Sequence, residues 1–317
     1  MAMEVVTAAD RDSLVAMRDE GEFFWLDLRD PSDADLKVLG EVLGLHPLAL
    51  EDTREWRQRP KVEPYPDHVF MVFYTVAAAV GGSPSRSMEI HLYISGQFIV
   101  TARRGDCAEV DLLRGRLEKD RSDEPEDYLV YLLLDGLTDA YYPLIEQTED
   151  RIDALEAEVL NRPQRAHLER IYRLKQEVHG FERRVVAQRD YFPSAVDAVM
   201  GLSGLSKGTR AYLRDVADHL NQVAGELARQ AGDLSALTDT FFNANANKLN
   251  QAVTRLSLVS TYFVVGALIT GFFGQNFGWL VDHIDSFEAF MVFGVGGLVV
   301  PMGALTLYVW RRRDDWR

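Results

Sequence analysis

Two long uncharged runs dominate the hydropathy pattern. Leu256–Phe273 holds 18 residues without a charge and Ala289–Trp310 holds 22. A bilayer core takes about 20 helical residues, so residues 256–273 and 289–310 are predicted as two transmembrane helices with a loop over 274–288. Gly294, Gly296, Gly297 and Gly303, with Tyr308 and Trp310 at the end, suit lipid better than a soluble core. Pro301 is tolerable there if neighbouring groups re-satisfy the freed backbone. Upstream the pattern changes. Phe23–Leu28, Val69–Val76, Met88–Ile94 and Phe98–Thr101 are aromatic and β-branched and read as strands of an antiparallel or mixed sheet. Asp30 before Pro31 reads as an N-cap opening a helix towards Leu43. Gly81-Gly82-Ser83-Pro84 reads as a turn between strands. From about Asp106 the chain is helical. Residues 126–158 carry ten acids and one base, and 162–189 carry eight bases and three acids. With Asn161-Arg162-Pro163 between them, they read as an antiparallel helical pair. A helical pattern then runs from Gly208 to Phe273, about 100 Å at 1.5 Å per residue. So long a helix needs partners, which points to a bundle formed by oligomerisation.

The organisation expected is therefore an α+β cytoplasmic domain (1–125), a helical hairpin (126–205), a long α-helical stalk (206–255), two transmembrane helices and a basic tail (311–317). Charge sharpens it. The net charge is −15, yet residues 255–317 hold five bases and five acids, so the acidity lies in residues 1–254. An acidic body argues against nucleic acid and favours cations as partners. Arg255 precedes the first span and Arg311, Arg312 and Arg313 follow the second. The loop carries Asp282, Asp285 and Glu288 and no base. The positive-inside rule places both termini of this multi-pass protein in the cytoplasm and the loop outside the cell membrane. The single Cys107 excludes an internal disulfide and a cysteine-based zinc site. The N-terminus shows no signal-peptide pattern. His46, His68, His91, His167, His179, His219 and His283 form no ligand spacing such as H-x-x-x-H, and nucleophile-elbow and phosphate-loop motifs are absent. An enzyme is thus the weakest class, and no organic cofactor is implied. His219 reads as a packing residue of the stalk.

Asn243, Asn247 and Asn250 share one helix face at the mouth of the first span, Ser257 extends it, and Ser260 and Thr261 lie near. Facing lipid they would be costly. They are either interhelical hydrogen-bond glue or the wall of a water-lined pore. Gly271 and Gly274 would let helices approach at the far end.

Gly274-Gln275-Asn276 closes the first span. In this setting it resembles the Gly-Met-Asn signature of the CorA-type magnesium/divalent metal cation transporter family. Gln58–Glu63, Ile171–Lys175, Tyr212–His219 and Asn247-Lys248…Asn250 are similar to family segments in the same order. The resemblance implies a funnel-shaped homopentamer in the lipid bilayer that passes Mg2+, and Co2+ or Ni2+, without ATP. Gly274, Gln275 and Asn276 would be its selectivity filter, with Asn276 ringing a hydrated cation. Asn250, Val253, Leu256, Val264, Ala267, Gly271 and Gly274 would line the pore. Val253, Leu256 and Val264 would gate by dewetting. Asp282, Asp285 and Glu288 would concentrate cations, and Arg311–Arg313 would form a basic ring or a positive-inside anchor. The family's regulatory magnesium site would use Asp215, with Asp218 or another acid replacing a carboxylate missing from Ala77-Ala78-Ala79-Val80-Gly81-Gly82. Alternatively Asp215 pairs with an arginine such as a neighbour's Arg214.

Gln275 and Ala267 depart from the family pattern. They leave open a ZntB-like zinc transporter and a non-conducting membrane-anchored scaffold or sensor. Zinc prefers nitrogen and sulfur donors. A ligand-based zinc site would need His or Cys, and between Asn243 and Trp310 only His283 qualifies, in the loop outside the spans.

Overall fold

A six-stranded mixed sheet in the order β1-β2-β6-β5-β4-β3 organises the N-terminal part of the chain. The strands are β1 Glu4–Val6, β2 Phe24–Arg29, β3 Lys61–Pro64, β4 Val69–Ala77, β5 Arg86–Ile94 and β6 Phe98–Arg103. β2 pairs in parallel with β1 and β6, and the other pairings are antiparallel. The computed structural model describes residues 4–21, 23–77, 85–119, 126–205, 208–275, 278–283 and 286–311. The turn expected at Gly81–Pro84 lies outside them. The chain divides into two compact units, Met1–Phe241 and Phe242–Arg317.

Every residue of β4 and β6 is buried, which explains runs without polar alternation. Alternate side chains enter two cores. Phe70, Val72 and Tyr74 pack on one face with residues of α1 Arg11–Glu20, α2 Asp33–Leu43 and α3 Pro47–Glu55. Met71 and Phe73 pack on the other with residues of α4 Ala108–Lys119, α5 Glu126–Asp139, α6 Tyr141–Asn161, α7 Arg165–Met200 and α8 Thr209–Phe273. Beyond β3, the free edge of β4 is capped by side chains. Gln188 accepts the Tyr74 N–H and the Tyr141 hydroxyl donates to the Tyr74 carbonyl, while the Tyr191 hydroxyl donates to the carbonyl of Val72, the last β4 residue opposite β3.

Three local readings differ from the sequence expectation. Helix α2 is capped by Ser32, not Asp30. Ser32 Oγ accepts the Asp35 N–H at 3.2 Å and Asp35 Oδ2 accepts the Ser32 N–H at 2.7 Å, a reciprocal capping box. Asp30 has φ 52° and its N–H donates to Arg103 O at 2.8 Å, so it prolongs the β2–β6 pairing. The acidic stretch 126–158 contains a break at Ala140, between α5 and α6. Pro143 lacks an N–H and its ring would clash with the Asp139 carbonyl in a continuous helix. β1, β3 and α1 are additions, too short or too polar for the periodicity to reveal.

In the second unit, α8 ends at Phe273. A short helix α9 spans Gly278–His283, and α10 spans Phe287–Arg311. Ser286 caps α10, and its residues Phe290–Val295 form a π-helical turn ahead of Gly296.

Candidate functional site

The C-terminal part of α8 and helix α10 are long and apolar enough to cross a membrane, and none of either apolar window is buried within the chain. A soluble protein would bury such helices in its core. Val253, Leu256, Val264, Leu268, Val299, Val300 and Leu307 are all exposed. Asn243, Asn247 and Asn250 are exposed on α8, as are Ser257, Ser260, Thr261, Ala267 and Gly271. Thr261 Oγ1 donates to Ser257 O at 2.8 Å, which satisfies its hydroxyl within the helix. The Tyr262 hydroxyl donates to Thr306 Oγ1 at 3.0 Å and ties the two spans together.

Helix α8 closes through Gly274, whose N–H donates to Thr270 O at 2.9 Å. A Cβ there would stand 3.1 Å from the same oxygen, so a glycine suits this tight ending. Gln275 follows, its N–H donating to Phe272 O at 3.3 Å. Asn276 lies outside the described residues, as do Asp285, Arg312 and Arg313. Asp282 on α9 and Glu288 in the first turn of α10 are exposed, and Arg311 ends α10.

In the first unit, α5 and α8 bring four groups together. Asp135 and Asp139 stand one turn apart on α5, and Asp215 and His219 stand one turn apart on α8. His219 Nδ1 is 2.9 Å from Asp135 and 3.7 Å from Asp139. One ligand atom from each of Asp135, Asp139 and His219 lies within 4.8 Å of the other two. The Tyr131 hydroxyl donates to Asp215 Oδ2 at 3.2 Å. Burial raises the pKa of Asp139, and the negative charges of Asp135 and Asp215 raise it further against the pull of His219. A divalent cation would relieve that crowding. Asp218 is exposed and joins none of these contacts. His219 is thus no plain packing residue. The sequence signal that was available is a D-x-x-x-D on one helix and a D-x-x-x-H on another. Residues 78–82, where a family carboxylate is missing, lie outside the described residues. Cys107 is buried with its thiol pushed up to about 12 by burial, so it offers no ready thiolate.

Comparison with known proteins adds a family to this geometry. The family described as CorA-like Mg2+ transporter protein matches residues 20–313. A cobalt/magnesium transport protein CorA of Thermotoga maritima is 28% identical, covering 97% of this chain and 87% of its own. A putative metal ion transporter YfjQ of Bacillus subtilis is 25% identical over 93% of this chain and 90% of its own. The complete structure of the CorA magnesium transporter from Methanocaldococcus jannaschii has the same fold. Its TM-score is 0.75 at 22% identity, over 91% of this chain and 90% of that one.

Proposed function

The chain belongs to the CorA-like Mg2+ transporter family, and from that premise we propose that it is a passive channel for hydrated divalent cations with Mg2+ as its principal cargo. One observation carries the reading. The two membrane-length helices leave their apolar windows unburied, while the α8 face leading into the first span presents Asn243, Asn247 and Asn250. Lipid explains the apolar surface, and a shared aqueous axis explains the carboxamides.

The working assembly is a homopentamer in the cell membrane with both termini cytoplasmic. Mg2+ gives up its water reluctantly. A ring of Asn276 carboxamides, supported by Gly274 and Gln275, therefore recognises the ion with its hydration shell. Asp282, Asp285 and Glu288 raise the local cation concentration. Asn250, Ala267 and Gly271 line the path, and Val253, Leu256 and Val264 form the constriction that closes by dewetting. The membrane potential contributes about 2.3 kcal/mol per charge per 100 mV. Arg311, Arg312 and Arg313 ring the cytoplasmic mouth. Asp135, Asp139, Asp215 and His219 bind a regulatory cation; Asp218 is left out of that site because it shares none of the cluster's contacts.

The test is uptake into proteoliposomes, with Mg2+ and Zn2+ compared in wild type and Asn276→Ala. Mg2+ uptake that falls to the level of empty vesicles in the variant supports the reading. Zn2+ uptake without Mg2+ transfers the chain to the zinc branch. Absence of both, with folded protein, returns it to the scaffold class.

A further inference from the structure

His283 closes α9 in the loop between the two spans. Its ring lies on that of Trp279, with centroids 4.4 Å apart and planes 24° from parallel. Its Nδ1 is 2.9 Å from the Trp279 carbonyl oxygen. A carbonyl can only accept, so Nδ1 carries the proton and Nε2 of the neutral ring keeps its lone pair. The side chain is exposed, and Nε2 has no hydrogen-bond partner among the described residues. Proteins present imidazole to metals in this way, with one nitrogen fixed by a backbone oxygen and the other free. The surroundings favour a cation. Asp282 precedes the imidazole, and His283 sits in the last turn of its helix, where carbonyls point outward.

We propose that His283 is a ligand for a transition-metal ion such as Zn2+ or Ni2+ in the loop between the spans, and that it separates such ions from Mg2+. The chemistry is asymmetric. Zn2+ and Ni2+ exchange a water for an imidazole nitrogen readily, in the order of general metal–ligand affinity. Mg2+ prefers oxygen and keeps its water. Hydrated Mg2+ therefore passes this nitrogen unhindered, whereas Zn2+ dwells on it. One imidazole makes a weak site. Further ligands come from copies of His283 around the common axis, a step that rests on the channel reading above. Zn2+ held there blocks Mg2+ flux.

Two measurements on the full chain decide the matter. The first is carbethoxylation of the purified protein, read at the His283 peptide by mass spectrometry. Zn2+ is expected to protect His283 at concentrations where Mg2+ does not. The second is Zn2+ inhibition of Mg2+ uptake into vesicles. His283→Ala and His283→Gln are expected to raise the half-inhibitory Zn2+ concentration about tenfold or more, with uptake in the absence of Zn2+ unchanged. Lack of protection at His283, or equal inhibition of wild type and both variants, overturns the proposal. Vesicles that carry no divalent flux count against the channel reading instead, and the carbethoxylation result then decides the ligand alone.

Discussion

Trp56 and Arg57 both sit at φ 58°, a positive-φ backbone that costs non-glycine residues about 1–3 kcal/mol each. Glu89 holds them there. Its carboxylate accepts the N–H of Arg57 at 2.7 Å and of Gln58 at 2.9 Å, the Tyr74 hydroxyl at 3.0 Å, and His91 Nε2 at 2.7 Å. His91 stacks on Trp56, with Arg104 over the same indole. Burial pushes the Glu89 pKa up, but the bonds from His91, Gln58 and Tyr74 outweigh it and hold the carboxyl below its usual value. A depressed native pKa means stability that is present above the unfolded value, near 4.5, and lost as pH falls through the native one. Glu89→Ala is therefore expected to cost about 1–3 kcal/mol at neutral pH, because it strands buried donors. The gap between variant and wild type should close in acid. Thermal unfolding of the detergent-solubilised protein at several pH values checks both. A constant gap across the acid range would remove Glu89 from this role.

At the scale of elements, the strands and the long helix were legible because their signals are local. Unbroken aromatic and β-branched runs marked β2, β4, β5 and β6, and the absence of proline marked α8. The start of α2 was misplaced by two residues, because Asp-Pro and Pro-Ser both carry cap chemistry and only the backbone decides between them. Asp30 is diverted to the sheet, and Ser32 and Asp35 close the box. Ser32→Ala is expected to cost about 1 kcal/mol, and Pro31→Ala far less, in chemical denaturation. The contact between the β5–β6 turn and the segment after α7 was invisible in sequence. A Cβ on Gly96 would lie 1.8 Å from Ser203 O, and Gly204 opposite has φ +103°. Backbone against backbone leaves no rotamer to yield. Gly96→Ala is expected to cost about 1–3 kcal/mol, as overpacked sites do; an unchanged melting temperature would show that the turn can move aside.

On the scale of the whole molecule, one helix carries both ends of the proposed function. α8 bears Asp215 and His219 as well as Asn250, Val264 and Gly271. Composition reveals an acidic body, but not this cluster within it. Asp135 and His219 are 84 positions apart, and only the packing of α5 on α8 makes them neighbours. The crowding there gives the cluster a testable sign. Without metal, Asp139 is pushed towards its neutral form by burial and by Asp135 and Asp215. At neutral pH its charge therefore works against the fold, and Asp139→Asn is expected to leave metal-free protein as stable as wild type or slightly more so. With Mg2+ the order reverses. A cation that binds the folded state alone stabilises it by about 2.7 kcal/mol at one hundred times its dissociation constant. The variant forfeits a ligand and most of that gain. His219→Ala should lose less for Mg2+, which prefers oxygen, and more for Co2+, which accepts imidazole. Melting temperatures of the full chain with EDTA, Mg2+ and Co2+ give all three comparisons. A metal-induced rise of equal size in wild type and both variants would place the regulatory cation elsewhere. A rise lost in Asp139→Asn, and lost selectively for Co2+ in His219→Ala, would assign it to these four residues. Channel closure by cytoplasmic Mg2+ would then have two of its ligands, Asp215 and His219, on the same helix that is proposed to line the path.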